Sequence, residues 1–245
     1  MLNRRIRLHR ALDHVLDALA LRAAFDEAEF KEADHPRKTN GQFGKGGSTA
    51  TRGHAERESA YSTSSMAART KYIEKELGCK PHAAQKYARA VARYSGTGYF
   101  AIRSGEDKHT AAVLRNYVDA APKWDGNGPL YRGVGLRQAQ IDTLQPGAVV
   151  DMKGLSSWSS DSSVADGFAK RQGTGRIQLV VFEVDKGDTA TSIAHLSEAA
   201  SEDEVLFSGT TKFEIVGSSF KTTKRSYDKG RPYKVQVFKV REVPA

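Results

Sequence analysis

Near Gly126-Asn127-Gly128-Pro129 the hydrophobic pattern of this 245-residue chain changes period. That change constrains the fold more than any single motif. Before it, apolar residues recur at helical spacing. Residues 66–77 close at Gly78, a glycine stop. Residues 81–94 open on a proline, which a first helical turn tolerates, and align Ala84, Tyr87, Ala88 and Val91. After the break Ser95-Gly96-Thr97-Gly98, residues 108–121 form a further helix stopped by Pro122. Past the change, strand-like runs take over at 130–134, 148–152, 205–207, 213–216 and 233–243, with one short helix over 162–170. Residues 176–184 are the longest apolar run and predict a central strand buried on both faces. Turn chemistry at 227–232 separates the last two strands. Helices first and short strands afterwards predict α+β, with a mostly antiparallel sheet, and not alternating βαβ units.

Composition narrows the chemistry. Lys and Arg outnumber Asp and Glu 38 to 29, giving a net charge of +9. Such a bias favours acidic partners, whether nucleic acid, an anionic ligand or an acidic protein face, without choosing among them. The single cysteine, Cys79, excludes an internal disulfide and a cysteine-built zinc site. His54, His82 and His109 show no metal-ligand spacing, so no metal is expected. No run approaches a membrane span. Asp13, His14 and Asp17 interrupt the apolar core that an export signal would need behind Arg4, Arg5, Arg7 and Arg10, so no signal peptide and no membrane contact are expected.

Three units follow from the texture. Within 1–35, Leu8, Leu12, Val15, Leu16 and Leu19 make an amphipathic docking helix. Residues 36–65 are a polar, glycine-rich linker that cannot bury enough apolar surface to offset its ordering entropy. Gly44-Lys45-Gly46-Gly47-Ser48 fails the spacing of a phosphate-cradling loop. Residues 66–245 form the third unit.

The chemistry-bearing signals fall in order on the strand-rich half. Tyr131-Arg132-Gly133 puts an arginine, the side chain suited to bidentate phosphate binding, beside a glycine that allows close backbone approach. Alone, it is more often a surface arginine. Residues 154–161 cluster small hydroxyls around Trp158, which suits either a strand lining a polar slot or a serine-rich turn. Glu202 and Glu204 stand two apart ahead of Val205-Leu206-Phe207. On a strand both would face one space, while an E-x-E by itself more often marks a solvated acidic turn. Among the rest, His195 and Trp124 read as packing residues and Phe168 as a core residue on a helix face. Lys221, Lys224, Arg225, Lys229 and Arg231 read as a solvated hairpin rim.

Taken together, Tyr131-Arg132-Gly133, Ser157-Trp158-Ser159 with Val164-Ala165 and Phe168 behind, and Glu202-Asp203-Glu204-Val205-Leu206-Phe207 with Lys212-Phe213 following resemble the Arg–Ser–Glu class of mono-ADP-ribosyltransferases. That class includes bacterial exoenzyme toxins and arginine-modifying ectoenzymes. The resemblance covers roughly the C-terminal three-quarters of the chain. It departs at Trp158, where the class commonly has threonine. It implies a split β-sheet core behind N-terminal helices, and transfer of ADP-ribose from NAD to a target protein's arginine. In that reading Glu204 stabilises the oxocarbenium-like transition state and Ser157 orients it. Arg132 and Gly133 hold the pyrophosphate or adjacent ribose, Ser157, Trp158 and Ser159 line the NAD slot, and Glu202 serves the acceptor guanidinium. No Rossmann glycine fingerprint is present, so NAD would be a consumed substrate and not a hydride carrier. The alternatives are an NAD glycohydrolase, or a basic structural or nucleic-acid-associated virion module with an inert transferase-like fold. Residues 36–47 also resemble tails of phage head-associated proteins. This implies attachment to a phage head and a place in the virion or host cytoplasm; a secreted toxin is the other setting.

Overall fold

A computed structural model describes residues 65–126, 128–152, 154–168, 177–198, 202–224 and 232–243. The expected docking helix in 1–35 and the linker over 36–65, save Ser65, lie outside the described residues.

The helices come first. α1 (Met66–Leu77) starts at Ser65, whose hydroxyl accepts the Ala68 amide, and ends on Gly78 at φ 58, a left-handed stop that glycine takes without a Cβ clash. α2 (Pro81–Ser95) and α3 (Tyr99–Arg103) are separated by the glycine-rich break. α4 (Lys108–Ala120) is capped by Asp107, whose carboxylate accepts the Thr110 amide at 3.0 Å. Ile73, Ala84, Val91, Tyr94, Leu114 and Tyr117 bury their side chains in one helical cluster. Leu155, Ile193, Leu196 and Leu206 from the sheet side join them.

The remaining elements are β1 (Leu130–Arg137), α5 (Gln138–Ile141), β2 (Val149–Asp151), β3 (Ser156–Ser159), α6 (Ser162–Phe168), β4 (Ile177–Val184), β5 (Thr191–Ser192), β6 (Glu204–Phe207), β7 (Lys212–Lys224) and β8 (Pro232–Val243). The strand order is β2-β7-β8-β4-β1-β3-β6-β5. Every pairing is antiparallel except β4 with β8. The α+β, mostly antiparallel architecture is as expected. β4 lies inside the sheet with Val180 and Phe182 in one cluster and Val181 in another, so both of its faces are buried.

The sheet is pinched. β1 pairs with β4 along its whole length, but meets β3 only at Tyr131↔Ser159. Five strands stand on one side of this junction and three on the other.

Four expectations need correction. β1 runs on to Arg137, and β7 runs to Lys224, well past the expected 213–216. The added part of β7, from Gly217 to Lys224, is polar and lacks an apolar alternation, so main-chain pairing with β8 holds it and burial does not. Phe168 is 38% exposed at the last residue of α6, whose buried contact is Ala165; it is not a core residue. Lys221 is no solvated rim residue: its Nζ lies 2.8 Å from Asp166 Oδ1 and 5.8 Å from the Tyr131 ring centre, tying β7 to α6. The Lys224 side chain, Arg225, Lys229 and Arg231 lie outside the described residues.

Candidate active site

The pinch places the three sequence signals side by side. β3 and β6 pair antiparallel, with Ser157 opposite Leu206 and Ser159 opposite Glu204. Ser157 is therefore a diagonal neighbour of Glu204, within reach of a long side chain. Its hydroxyl donates to Glu204 Oε1 at 2.6 Å. Glu204 is only 5% exposed. A buried carboxylate needs such donors to offset its lost hydration.

Arg132 closes the junction from β1. It is buried, and its Nη1 donates to the main-chain oxygen of Ser157 at 2.6 Å. Its Nε is buried with no hydrogen-bond partner. Burial first, and then the neighbouring Arg103, push the guanidinium down from its ordinary value to about 10. Gly133 is half-buried and sits in the β1–β4 ladder opposite Val181.

Of the proposed slot residues, one faces elsewhere and another has its hydroxyl engaged by the main chain. Strand alternation sends Trp158 to the side opposite Ser157. There it packs against Phe207 and Phe213 at 5.4 and 5.0 Å, 2% exposed, with its indole N–H on Ser156 Oγ at 3.1 Å. The reading of Trp158 as an NAD contact is thus corrected: the ring belongs to the core. Ser159 donates to the carbonyl of Glu202 at 2.7 Å and accepts the Asp161 amide at 3.0 Å. Its hydroxyl pins the turn that carries Glu202.

Glu202 also arrives differently from expectation. It precedes β6 on a short helical turn, and Asp203 has φ 45. Glu202 therefore lies ahead of the strand, where alternation along β6 does not set its direction. Glu202 is half-buried, Glu204 buried.

The helical lobe contributes residues that sequence reasoning missed. Tyr94, at the end of α2, is 1% exposed, and its hydroxyl is buried with no hydrogen-bond partner. Its phenol is pushed well above the ordinary value by burial first, then by Tyr99 and Glu204, while Arg103 and Arg132 act the other way. The Tyr99 ring lies 5.2 Å from that of Tyr94, tilted at 59°. Arg103 donates to the Tyr99 hydroxyl at 2.8 Å and stands 5.5 Å from that ring's centre. Glu204, Arg132 and Arg103 thus all act on one buried phenol. The signal in the sequence was two tyrosines and an arginine spaced across a glycine-broken helix end. His195 is buried with its ring 4.4 Å from Tyr72, in keeping with packing. Among the described residues no group of three or more His, Cys, Asp or Glu could hold a metal ion.

Chemically, the site pairs a serine-held carboxylate with two neighbouring guanidiniums and two phenols. It suits an anionic ligand that develops positive charge at one centre.

No family model matches the chain. Vis of Vibrio splendidus (strain 12B01), named as a candidate NAD(+)–arginine ADP-ribosyltransferase, is 27% identical over 125 residues, 50% of this chain and 49% of Vis. Mav of Mycobacterium avium (strain 104), named likewise, is 25% identical over 138 residues, 53% of this chain and 16% of Mav. The chain thus spans about half the length, or less, of these curated relatives. The solved structure of Vis toxin, an ADP-ribosyltransferase, matches with TM-score 0.51 and 21% identity, over 80% of this chain and 88% of that one. Vis in complex with an inhibitor gives 0.53 and 19%, over 86% and 89%. The type III effector XopAI from Xanthomonas axonopodis pv. citri gives 0.51 and 16%, over 78% and 79%. With helices packed on a pinched, mostly antiparallel sheet, this chain has the fold of the toxin-type ADP-ribosyltransferases.

Proposed function

We propose that this chain is an NAD-dependent mono-ADP-ribosyltransferase, moving ADP-ribose from NAD to an arginine of a target protein with release of nicotinamide. The observation that carries the reading is Glu204, buried, held by Ser157 and set beside Arg132 at the pinch. The names of the curated relatives support it. Breaking the glycosidic bond sends its electron pair out with nicotinamide and leaves an oxocarbenium-like ribose. A fixed carboxylate at Glu204 stabilises that charge, and Ser157 keeps it aimed. Arg132, with Arg103 beyond it, meets the pyrophosphate; an anion there relieves the mutual repulsion of the two guanidiniums. The acceptor nitrogen then bonds to the ribose carbon and gives up a proton, which Glu202 takes.

The test is full-length protein with NAD and agmatine, a small guanidinium, following nicotinamide and the agmatine adduct separately. Wild type is expected to form the adduct. Glu202→Gln is expected to lower adduct formation by about 100-fold while nicotinamide release to water continues. Nicotinamide release with no adduct from wild type would make the protein a glycohydrolase. No release at all would leave an inert fold.

Tyr94→Phe separates stability from binding at the same site. Losing a buried, unpartnered hydroxyl is expected to raise the melting temperature by about 2–4 °C, while the KM for NAD rises. A lowered melting temperature would show that the hydroxyl has a structural partner. We assign this activity to residues 66–245 and an attachment role to 1–35; docking on a phage head is the setting that the sequence of 36–47 suggests.

A further inference from the structure

We propose that Ser95 and Arg69, on the helical lobe, are positioning residues for the acceptor step, fastening the segment that carries Glu202; this rests on the transferase reading above. After β5 the chain turns tightly. The amides of Leu196 and Ser197 both donate to the Ile193 carbonyl, at 2.9 and 2.8 Å, and Ile193 and Leu196 are fully buried in the helical cluster. Glu198 follows. Its amide donates to Ser95 Oγ at 3.0 Å. That hydroxyl itself donates to the Val91 carbonyl at 3.0 Å, so its proton is committed and a lone pair faces Glu198. The Glu198 carboxylate meets Arg69 Nη1 at 3.5 Å, with side chains 51% and 10% exposed respectively. Gly96 leaves room for this contact: a Cβ there would stand 2.9 Å from the Ala92 carbonyl and 3.3 Å from Glu198 Oε2.

The far foot of the segment is held by a different body. Ser159, on β3, grips the Glu202 carbonyl at 2.7 Å. Only residues 199–201, which lie outside the described residues, separate the two feet. A tether of three residues has a short reach, which couples Glu202 to the helical foot as well as to the sheet. Releasing the helical foot leaves Glu204, Ser157 and Arg132 in place. NAD cleavage should survive, while the acceptor is held less well. A misplacement of about 1 Å can cost up to ~100-fold in rate. The half-exposed Arg69–Glu198 pair contributes little alone, so the buried Ser95 contact carries the larger share.

The experiment compares Ser95→Ala, Glu198→Ala and the double variant of the full chain. Readouts are agmatine transfer, nicotinamide release in water, and amide exchange in the peptide spanning 195–204. For Ser95→Ala we expect the KM for agmatine to rise and the ratio of transfer to hydrolysis to fall about tenfold, with the KM for NAD unchanged. Exchange in 195–204 should speed up by about tenfold. The double variant should be little worse than Ser95→Ala, since both contacts hold one foot. Glu198→Gln keeps an acceptor for Arg69 and should restore most of what Glu198→Ala loses. An unchanged ratio with unchanged exchange would overturn the proposal, as would nicotinamide release falling in step with transfer. Faster exchange in Ser95→Ala, together with a wild type that consumes no NAD, would overturn the transferase reading and the acceptor role with it, and leave the fastening itself supported.

Discussion

Glu204→Gln is expected to lower both nicotinamide release and arginine labelling by about 10²–10³-fold, with both reactions falling together. Glutamine matches the shape of glutamate, and its amide oxygen can accept the Ser157 hydroxyl that now sits 2.6 Å from Glu204 Oε1. What disappears is the negative charge at the moment positive charge develops on the ribose. The site is sheltered from water, since Glu204 is 5% exposed, and a fixed charge acts more strongly there than in bulk solvent. The melting temperature should hold or rise, because burying a carboxylate costs hydration that a neutral amide loses less of. This pairing of a large rate loss with no stability loss distinguishes a reacting group from a structural one. Nicotinamide release and labelling counted on the same protein, with a thermal melt alongside, make the measurement. Full labelling by Glu204→Gln would defeat the whole constellation. A loss of labelling matched by a collapse in stability would make the Ser157–Glu204 contact a brace between β3 and β6.

How much of this could be read from the chain follows from which signals are local. The switch from helical to strand spacing at 126–129 is local, and it gave the layer order. The Ser157–Glu204 pair came through as what the resemblance to the Arg–Ser–Glu class implies, carried by two short motifs; that β3 lies beside β6 is not itself a local signal. Strand alternation is local, and it forbids what was expected of Trp158. If Ser157 faces the slot, its neighbour faces away, and a tryptophan on the far face of a strand is core, here against Phe207 and Phe213. Strand alternation does not reach Glu202, for another local reason. Asp203 at φ 45 is a conformation that residue type permits but does not announce. Tyr94, Tyr99 and Arg103 were illegible for a non-local reason. On their own helices they pass for packing aromatics and a surface cation, and only the docking of those helices on the pinch brings them to Glu204 and Arg132. The length of β7 was hidden because its outer half is held by main-chain pairing, to which side-chain patterning is blind.

Arg132→Lys is expected to raise the KM for NAD by roughly 10–100-fold while the protein still folds. The arginine already gives Nη1 to the Ser157 carbonyl at 2.6 Å, and its Nε is buried with no hydrogen-bond partner. A guanidinium can hold that carbonyl and still offer further N–H groups to an anion, because its donors lie in one rigid fork. A lysine ammonium can do the first or approach the second, from a single point. Charge adds to the argument. Burial and then the neighbouring Arg103 bring Arg132 down to about 10, which leaves it cationic at neutral pH. Burial and the neighbouring Arg103 would act on a lysine in the same direction, from a lower starting point of about 10.4. Its charge would then be lost at lower pH than that of the arginine. The sign is fixed: deprotonation as pH rises removes the cation that the proposed pyrophosphate contact needs, so the KM for NAD of Arg132→Lys should climb as pH is raised from about 7 to about 9, ahead of that of wild type. Steady-state kinetics across that range, with thermal melts at each pH, decide the matter. A KM for NAD that stays at the wild-type value in a protein of lowered melting temperature would make Arg132 a brace across the pinch, holding β1 to β3 through Ser157, and would remove it from the nucleotide site.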